Sequence, residues 1–298
     1  MTVPLDIPDT ITAREVATQP DVWQRALTAG PDAYAALPAP GTPVLVVGCG
    51  TSYYVGDAYA RLRESAGLGR TRAVIASELD RIGEDETVLV ISRSGTTTDV
   101  LRVIERVAGR NPVVGVVGTP GSPIADACGA VVLLDYADEV SVVQTRFAST
   151  VLTVLRHSLG LTPGGVADQA RAALARPLPE PGHTQFVFLG TNWTVGVAQE
   201  AALKCRESAG VWTEAYALWE YQHGPISVAG PHTLVWSLSP VPPVVADAVR
   251  GTGATLVEPE SDAMAELVAV HRLALRLAAA AERDPDTPPH LSRSVQLV

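Results

Sequence analysis

Short apolar runs alternate along this chain with longer stretches whose apolar residues recur every three or four positions. The runs at 43–47, 71–75, 87–91, 112–117 and 129–134 predict strands, and the stretches at 52–65 and 99–108 predict helices, with a short segment at 123–128 between the last two strands. In the second of these helices Val100, Val103, Ile104 and Val107 lie on one face. Upstream, 12–19 and 22–28 read as two helices, the first closed by Pro20 and the second by Gly30-Pro31. A long helical stretch at 141–159 stops at Gly160, and 161–182, rich in Pro, Gly and Ala, reads as a linker. A second alternation follows, with strands at 184–189, 233–237 and 254–257 and helices at 195–209, 244–251 and 263–281. Such alternation is the mark of doubly wound α/β domains built on parallel sheets. The boundaries are a helical segment at 1–40, one domain at 41–160, the linker at 161–182, a second domain at 183–282 and a tail at 283–298.

An internal echo relates the two domains. Strand Val44-Leu45-Val46-Val47 ends at Gly48 and is followed one helix later by Arg63-Glu64-Ser65-Ala66-Gly67; Phe186-Val187-Phe188-Leu189 ends at Gly190 and is followed by Arg206-Glu207-Ser208-Ala209-Gly210. Both pairs are separated by nearly the same interval, which implies duplication of one α/β unit.

The junction at 92–98 distinguishes the halves. There Ser92, Ser94, Thr96, Thr97 and Thr98 crowd around Arg93 and Gly95, between a strand and a helix. Unpaired amides and the positive dipole end at a helix N-terminus favour an anion, and hydroxyls add donors. The alternative is simple helix capping, which needs one hydroxyl or two. In the second half Ser237-Leu238-Ser239-Pro240-Val241-Pro242-Pro243 stands in the equivalent place and lacks the Ser-x-Ser-Gly pattern, so the anion site belongs to the first half alone.

Composition narrows the picture. The 298 residues, 47% hydrophobic and 18% charged, contain no apolar run long enough to span a bilayer. The start Met1-Thr2-Val3-Pro4-Leu5-Asp6 carries no secretion signal, so a cytoplasmic protein without membrane partners is expected. A net charge of −10 argues against nucleic acid as a partner and leaves any phosphorylated ligand to be held by fixed local donors. Cys49, Cys128 and Cys205 form neither a disulfide framework nor a Cys-x-x-Cys pair, and the six histidines show no metal-ligand spacing. No metal and no cofactor are expected.

Four segments in order resemble the sugar isomerase (SIS) family, in its two-domain form, which includes the isomerase domain of glucosamine-6-phosphate synthases and stand-alone phosphosugar isomerases and deaminases. They are Gly48-Cys49-Gly50-Thr51-Ser52, Ile91-Ser92-Arg93-Ser94-Gly95-Thr96-Thr97, Glu139-Val140-Ser141-Val142-Val143-Gln144-Thr145-Arg146, and Glu200 to Glu207 with Glu214-Ala215-Tyr216 and Glu220-Tyr221-Gln222-His223-Gly224-Pro225. The resemblance implies two flavodoxin-like three-layer SIS domains. It makes Ser52, Ser92, Arg93, Ser94 and Thr97 phosphate ligands, with Gly50 and Thr51 admitting backbone contact and Gln144 lining the sugar end. Arg93 stands where the family often has glutamine, so its charge either strengthens phosphate capture or faces solvent. Glu207 matches the general base that moves a proton between C1 and C2 of an open-chain hexose phosphate, although Glu64 in the first copy leaves a shared packing or salt-bridge role open. His223 matches the histidine that assists ring opening and, in the family, reaches the site from a partner subunit, which implies a homodimer.

The tail departs from the family. Arg293 stands where a lysine can form an imine, and a guanidinium is not a practical imine former. Arg293 either stabilises a developing enediolate or closes the site. The chain begins without the N-terminal cysteine of a glutamine-hydrolysing synthase, so no glutaminase activity is expected. The leading expectation is an isomerase or aminosugar-phosphate deaminase or deglycase acting on a hexose 6-phosphate; the alternative is a non-catalytic phosphosugar sensor.

Overall fold

The computed structural model describes residues 8–297; the opening stretch 1–6, read above for targeting signals, lies outside them. The chain forms two compact units, one made of Asp21–Thr162 with residues 292–297, the other of residues 8–20 with Pro163–Leu291. Helix α1 (Ile11–Thr28) runs through the point where the chain passes from one unit to the other.

The first unit is built on five parallel strands, β1 (Val44–Gly48), β2 (Thr71–Ile75), β3 (Thr87–Ser92), β4 (Val113–Val117) and β5 (Ala130–Leu133), in the order β2-β1-β3-β4-β5. Its helices are α2 (Thr51–Ser65), α3 (Thr98–Val107), α4 (Pro123–Ala127) and α5 (Arg146–Ser158). Alternation along the strands sends side chains to opposite faces. Leu45, Val47, Val88 and Val90 meet the α3 stripe of Val100, Val103, Ile104 and Val107, each such burial being worth about 1.5–3 kcal/mol. On the other face α2 packs so close that a Cβ on Gly56 would stand 2.8 Å from the Val46 side chain, and α5 lies against α2. Both faces are covered, as a buried parallel sheet requires.

The second unit contains α6 (Val166–Ala175), β6 (Gln185–Gly190), α7 (Thr194–Ala209), β7 (Thr213–Ala217), β8 (Thr233–Ser237), α8 (Pro243–Gly251), β9 (Thr255–Val257) and α9 (Ala263–Ala280). Its four parallel strands run in the order β7-β6-β8-β9, which repeats the first four strands of the other sheet. Val187, Leu189 and Val235 pack on Val245 and Val249 of α8, while α7 and α6 both pack on α9. The expected α/β class with two parallel sheets is what the chain adopts, and the repeated strand order accords with the sequence echo. Even side-chain roles repeat: the Arg63 guanidinium donates to the hydroxyl of Thr71 at 3.1 Å, and that of Arg206 to Thr213 at 3.0 Å.

Several boundaries differ from the sequence reading. Pro20 does not end a helix: α1 continues through it, and the Val16 carbonyl that a proline cannot serve accepts from the Gln19 side-chain amide at 3.3 Å. The supposed linker contains α6, whose Ala167, Ala170, Ala173 and Leu174 are buried. β7 was not anticipated, because Thr213-Glu214-Ala215-Tyr216-Ala217 lacks an apolar run, as suits an edge strand. Helix α5 begins at Arg146 rather than near residue 141, because the buried Glu139 carboxylate accepts from the amides of Thr145 at 2.8 Å, Arg146 at 2.7 Å and Phe147 at 3.0 Å, fixing the helix start there.

Candidate functional site

The order β2-β1-β3 places a topological switch point between β1 and β3, where neighbouring strands send their connections to opposite faces. Ligands of doubly wound sheets bind outside the carboxyl ends of such strands. Here α2 and α3 both begin at this edge. Close approach at Gly48 is obligatory, since a Cβ there would lie 2.7 Å from the Ser52 backbone. Thr51 and Ser52 open α2 directly after Gly50, whose φ of +53° favours glycine.

Beyond β3 the chain folds into a compact hydroxyl turn. The Ser92 hydroxyl accepts from the Gly95 amide at 3.1 Å, and that of Ser94 accepts from the Thr96 amide at 3.3 Å. Gly95 has φ +68°, and a Cβ on it would fall 1.9 Å from the Ser122 hydroxyl. Thr97 holds the N-cap position of α3, yet its side chain makes no capping bond. Capping therefore does not account for this density of hydroxyls. Two helix N-termini, Ser52, Ser92, Ser94 and Thr97 share the switch-point edge of one sheet, an arrangement suited to an anion.

Of the two sequence alternatives for Arg93, exposure to solvent is ruled out: the side chain is 2% exposed, and its guanidinium donates to the backbone carbonyls of Ser141 at 2.7 Å, Val142 at 3.1 Å and Arg293 at 3.1 Å. Burial of a guanidinium needs acceptors, and three carbonyls supply them. The segment it grips leads to Gln144, whose side-chain Oε1 is buried without a hydrogen-bond partner among the described residues. An amide oxygen so placed calls for a donor.

Arg293 likewise has partners within the protein. It forms a bidentate pair with Asp138 at 2.7 and 2.8 Å and donates to the Glu139 carbonyl at 2.6 Å. These bonds tie residues 292–297 to the first unit.

In the second unit Glu207 lies on α7, one-fifth exposed, with the Lys204 ammonium 2.5 Å from its carboxylate. Lys204 is 1% exposed and also stands 3.4 Å from Glu200, itself 2% exposed. Sequence reading passed over Lys204 and Glu200, although their spacing from Glu207 puts all three on one helical face. The echo could have exposed them. Glu64, the counterpart of Glu207, accepts from the Thr71 amide at 3.0 Å and so anchors β2. Arg61, the counterpart of Lys204, pairs with Asp57 at the surface. In the second copy the same positions form a buried charge cluster, and Glu207 does not tie down β7. The two glutamates thus make different contacts, Glu64 with the Thr71 amide and Glu207 with Lys204. His223 ends a short 3-10 turn, Glu220–His223, and is exposed.

Among the described residues no group of His, Cys, Asp and Glu is arranged to hold a metal ion, and no helix is long and apolar enough to cross a membrane. The three thiols are free; burial pushes that of Cys205 up to about 12, which keeps it inert.

Comparison with known proteins agrees with this layout. Residues 42–159, within the first unit, match the SIS domain. The chain is 28% identical over 214 residues to the glutamine–fructose-6-phosphate aminotransferase (isomerizing) of Bacteroides thetaiotaomicron, covering 62% of this chain and 35% of that one. It is 28% identical over 323 residues to the enzyme of that name from Aeropyrum pernix, covering 88% and 52%. The chain thus spans about a third to a half of the length of these relatives. Among solved structures, a glucosamine-6-phosphate deaminase from Thermotoga maritima superposes with a TM-score of 0.84 at 24% identity, covering 97% of this chain and all of that one. The tagatose-6-phosphate ketose/aldose isomerase of Escherichia coli gives 0.78 at 19%, covering 97% of each. These superpositions establish a common fold.

Proposed function

We propose that this protein is a phosphosugar enzyme, an aldose–ketose isomerase or an aminosugar-phosphate deaminase or deglycase acting on a hexose 6-phosphate. Ser52, Ser92, Ser94 and Thr97 are the proposed phosphate ligands, Gly50 and Thr51 admit the phosphate to the backbone, and Gln144 is the proposed acceptor for a sugar hydroxyl. Glu207 is the proposed base: it takes a proton from the carbon beside the carbonyl and returns it to the neighbouring carbon, through an enediol or enolamine. His223 is the proposed ring-opening residue. Arg293, held by Asp138, takes the positioning role rather than that of an imine former.

The observation that carries an enzyme over a sensor is the divergence of the two copies. Glu64 serves as a structural anchor, whereas Glu207 is released from that task and fixed by a buried lysine. A sensor needs the hydroxyl turn but not a carboxylate freed to move a proton. We also read the second unit as a second SIS domain, supported by its repeated strand order. Trp219 and Val228, 55% and 62% exposed on either side of His223, support a homodimer in which this face meets a second copy.

A substrate panel including glucosamine 6-phosphate and fructose 6-phosphate, read for ketose and for free ammonia, tests the proposal. Turnover of at least one sugar is expected, without ammonia release from glutamine. Binding of the sugars with neither product would support the sensor instead.

A further inference from the structure

The C-terminal residues 292–297 lie along the hydroxyl turn as a strap. The Thr96 hydroxyl donates to that of Ser294 at 2.9 Å, the Thr98 amide donates to the Val295 carbonyl at 3.4 Å, and the Leu297 amide donates to the Thr98 hydroxyl at 3.0 Å. Thr98 begins α3, so a strap carbonyl serves one of the helix's orphan N-terminal amides. The strap is held at two places upstream of these contacts. Arg293 is clamped by Asp138 through its side chain, and its own carbonyl accepts from Arg93.

Arg93 thus belongs to the turn by sequence, while its guanidinium holds together two other segments: 141–142, which precedes Gln144, and the strap. The geometry points to Arg93 as a positioning residue that latches the strap to the turn, so that the turn's hydroxyls adopt phosphate-binding orientations only while the strap is docked. This rests on the phosphosugar reading of the same turn. The planar five-donor fork suits Arg93 to several acceptors at once; a glutamine offers one amide group, and a lysine offers point-charge donors that cannot reach all three carbonyls together.

The experiment reads hydrogen exchange of residues 292–297 in the full chain without ligand, and affinity for inorganic phosphate and fructose 6-phosphate, in the natural protein and in Arg93→Gln, Arg93→Lys and Arg293→Ala. Arg93→Gln is expected to speed strap exchange at least about tenfold, with β4 and α5 unaffected, and to weaken phosphate about tenfold, because charge-assisted hydrogen bonds are lost from a local opening unit. Arg93→Lys should restore part of both. Arg293→Ala should reproduce both effects, and the double variant Arg93→Gln with Arg293→Ala should lose little more than either alone, since both act through one strap. Unchanged strap exchange in Arg93→Gln, or losses that multiply in the double variant, would overturn the latch. Should Arg93→Gln fail to fold, Arg293→Ala with Ser294→Ala carries the same expectation and the same refutation. If the natural chain binds neither phosphate nor fructose 6-phosphate, the proposed function falls and the positioning role with it; that result is told apart from a failed latch because strap exchange is read without ligand.

Discussion

Three charges share one face of α7, where the proposed base stands. Lys204 is buried between Glu200 and Glu207, and Glu200 has even less access to water than its partner carboxylate. Removing the ammonium by Lys204→Met breaks its buried ion pairs with Glu200 and Glu207, so a loss of about 3–5 kcal/mol is expected in urea unfolding. Glu207→Gln should behave differently. It keeps the shape and part of the hydrogen bonding while removing the base, so turnover should fall on the order of 10²–10⁴-fold while phosphosugar binding is retained. These residues were only half legible. Glu207 stood out through a family motif and through its echo at Glu64; Lys204 is the chain's only lysine, a signal in composition rather than in periodicity, and its burial comes from packing of α7 on α9, which is a tertiary fact. Arg93 was legible only in part for the same reason: its position in a hydroxyl turn says nothing about which way a long side chain turns, and its guanidinium reaches three distant carbonyls.

At the level of elements, the strand–turn–helix from Thr87 to Val107 was read almost as it stands, because an apolar run, a hydroxyl cluster and a helical stripe each point to a local conformation. Agreement of propensity with context makes such segments legible. Where one residue type opposed its context, tertiary structure won. Pro20 sits inside α1 with its orphaned carbonyl served by Gln19, and the Ala-rich 166–175 stretch is a helix because α9 covers it. The hydroxyl turn itself depends on Gly95. A side chain there meets both a positive φ and the Ser122 hydroxyl, so Gly95→Ala is expected to cost about 1–3 kcal/mol in thermal or urea unfolding and to weaken phosphate binding, because the turn must shift. An alanine variant with natural stability and phosphate affinity would show that the turn tolerates rearrangement.

Across the molecule, two sheets of like strand order carry matching positions that make different contacts. Arg63 with Thr71 and Arg206 with Thr213 preserve one structural bond in both, while Glu64 and Glu207 have parted. The same unit that holds Glu207 contains a fully buried histidine. Burial, and then the Lys204 charge, push His271 down from its ordinary value to about 3, and Gln19 meets its ring at 3.1 Å. Between that value and the ordinary 6.5 the unfolded chain takes up a proton that the folded protein refuses. Stability is therefore complete above the ordinary value and falls as the pH drops through this window, by at most about 1.4 kcal/mol per pH unit. His271→Gln should flatten that dependence. Glu86, held low by Arg72, and Glu266, where the hydrogen bonds of Arg176 and Ser261 outweigh the upward pull of burial, add their losses only below the usual carboxylate range. Urea midpoints measured against pH for the natural chain and His271→Gln separate the two windows; parallel curves between pH 4.5 and 6.5 would rule out His271 as the source.

The proton transfer assigned to Glu207 can be observed without choosing between isomerisation and deamination. Nuclear magnetic resonance in deuterated water follows exchange at the carbon beside the carbonyl of fructose 6-phosphate or another phosphosugar that the protein is shown to bind. The natural chain should incorporate deuterium there, and Glu207→Gln should bind the same sugar and incorporate essentially none. Bound sugar with no incorporation by the natural chain, or equal incorporation by Glu207→Gln, would contradict the assignment.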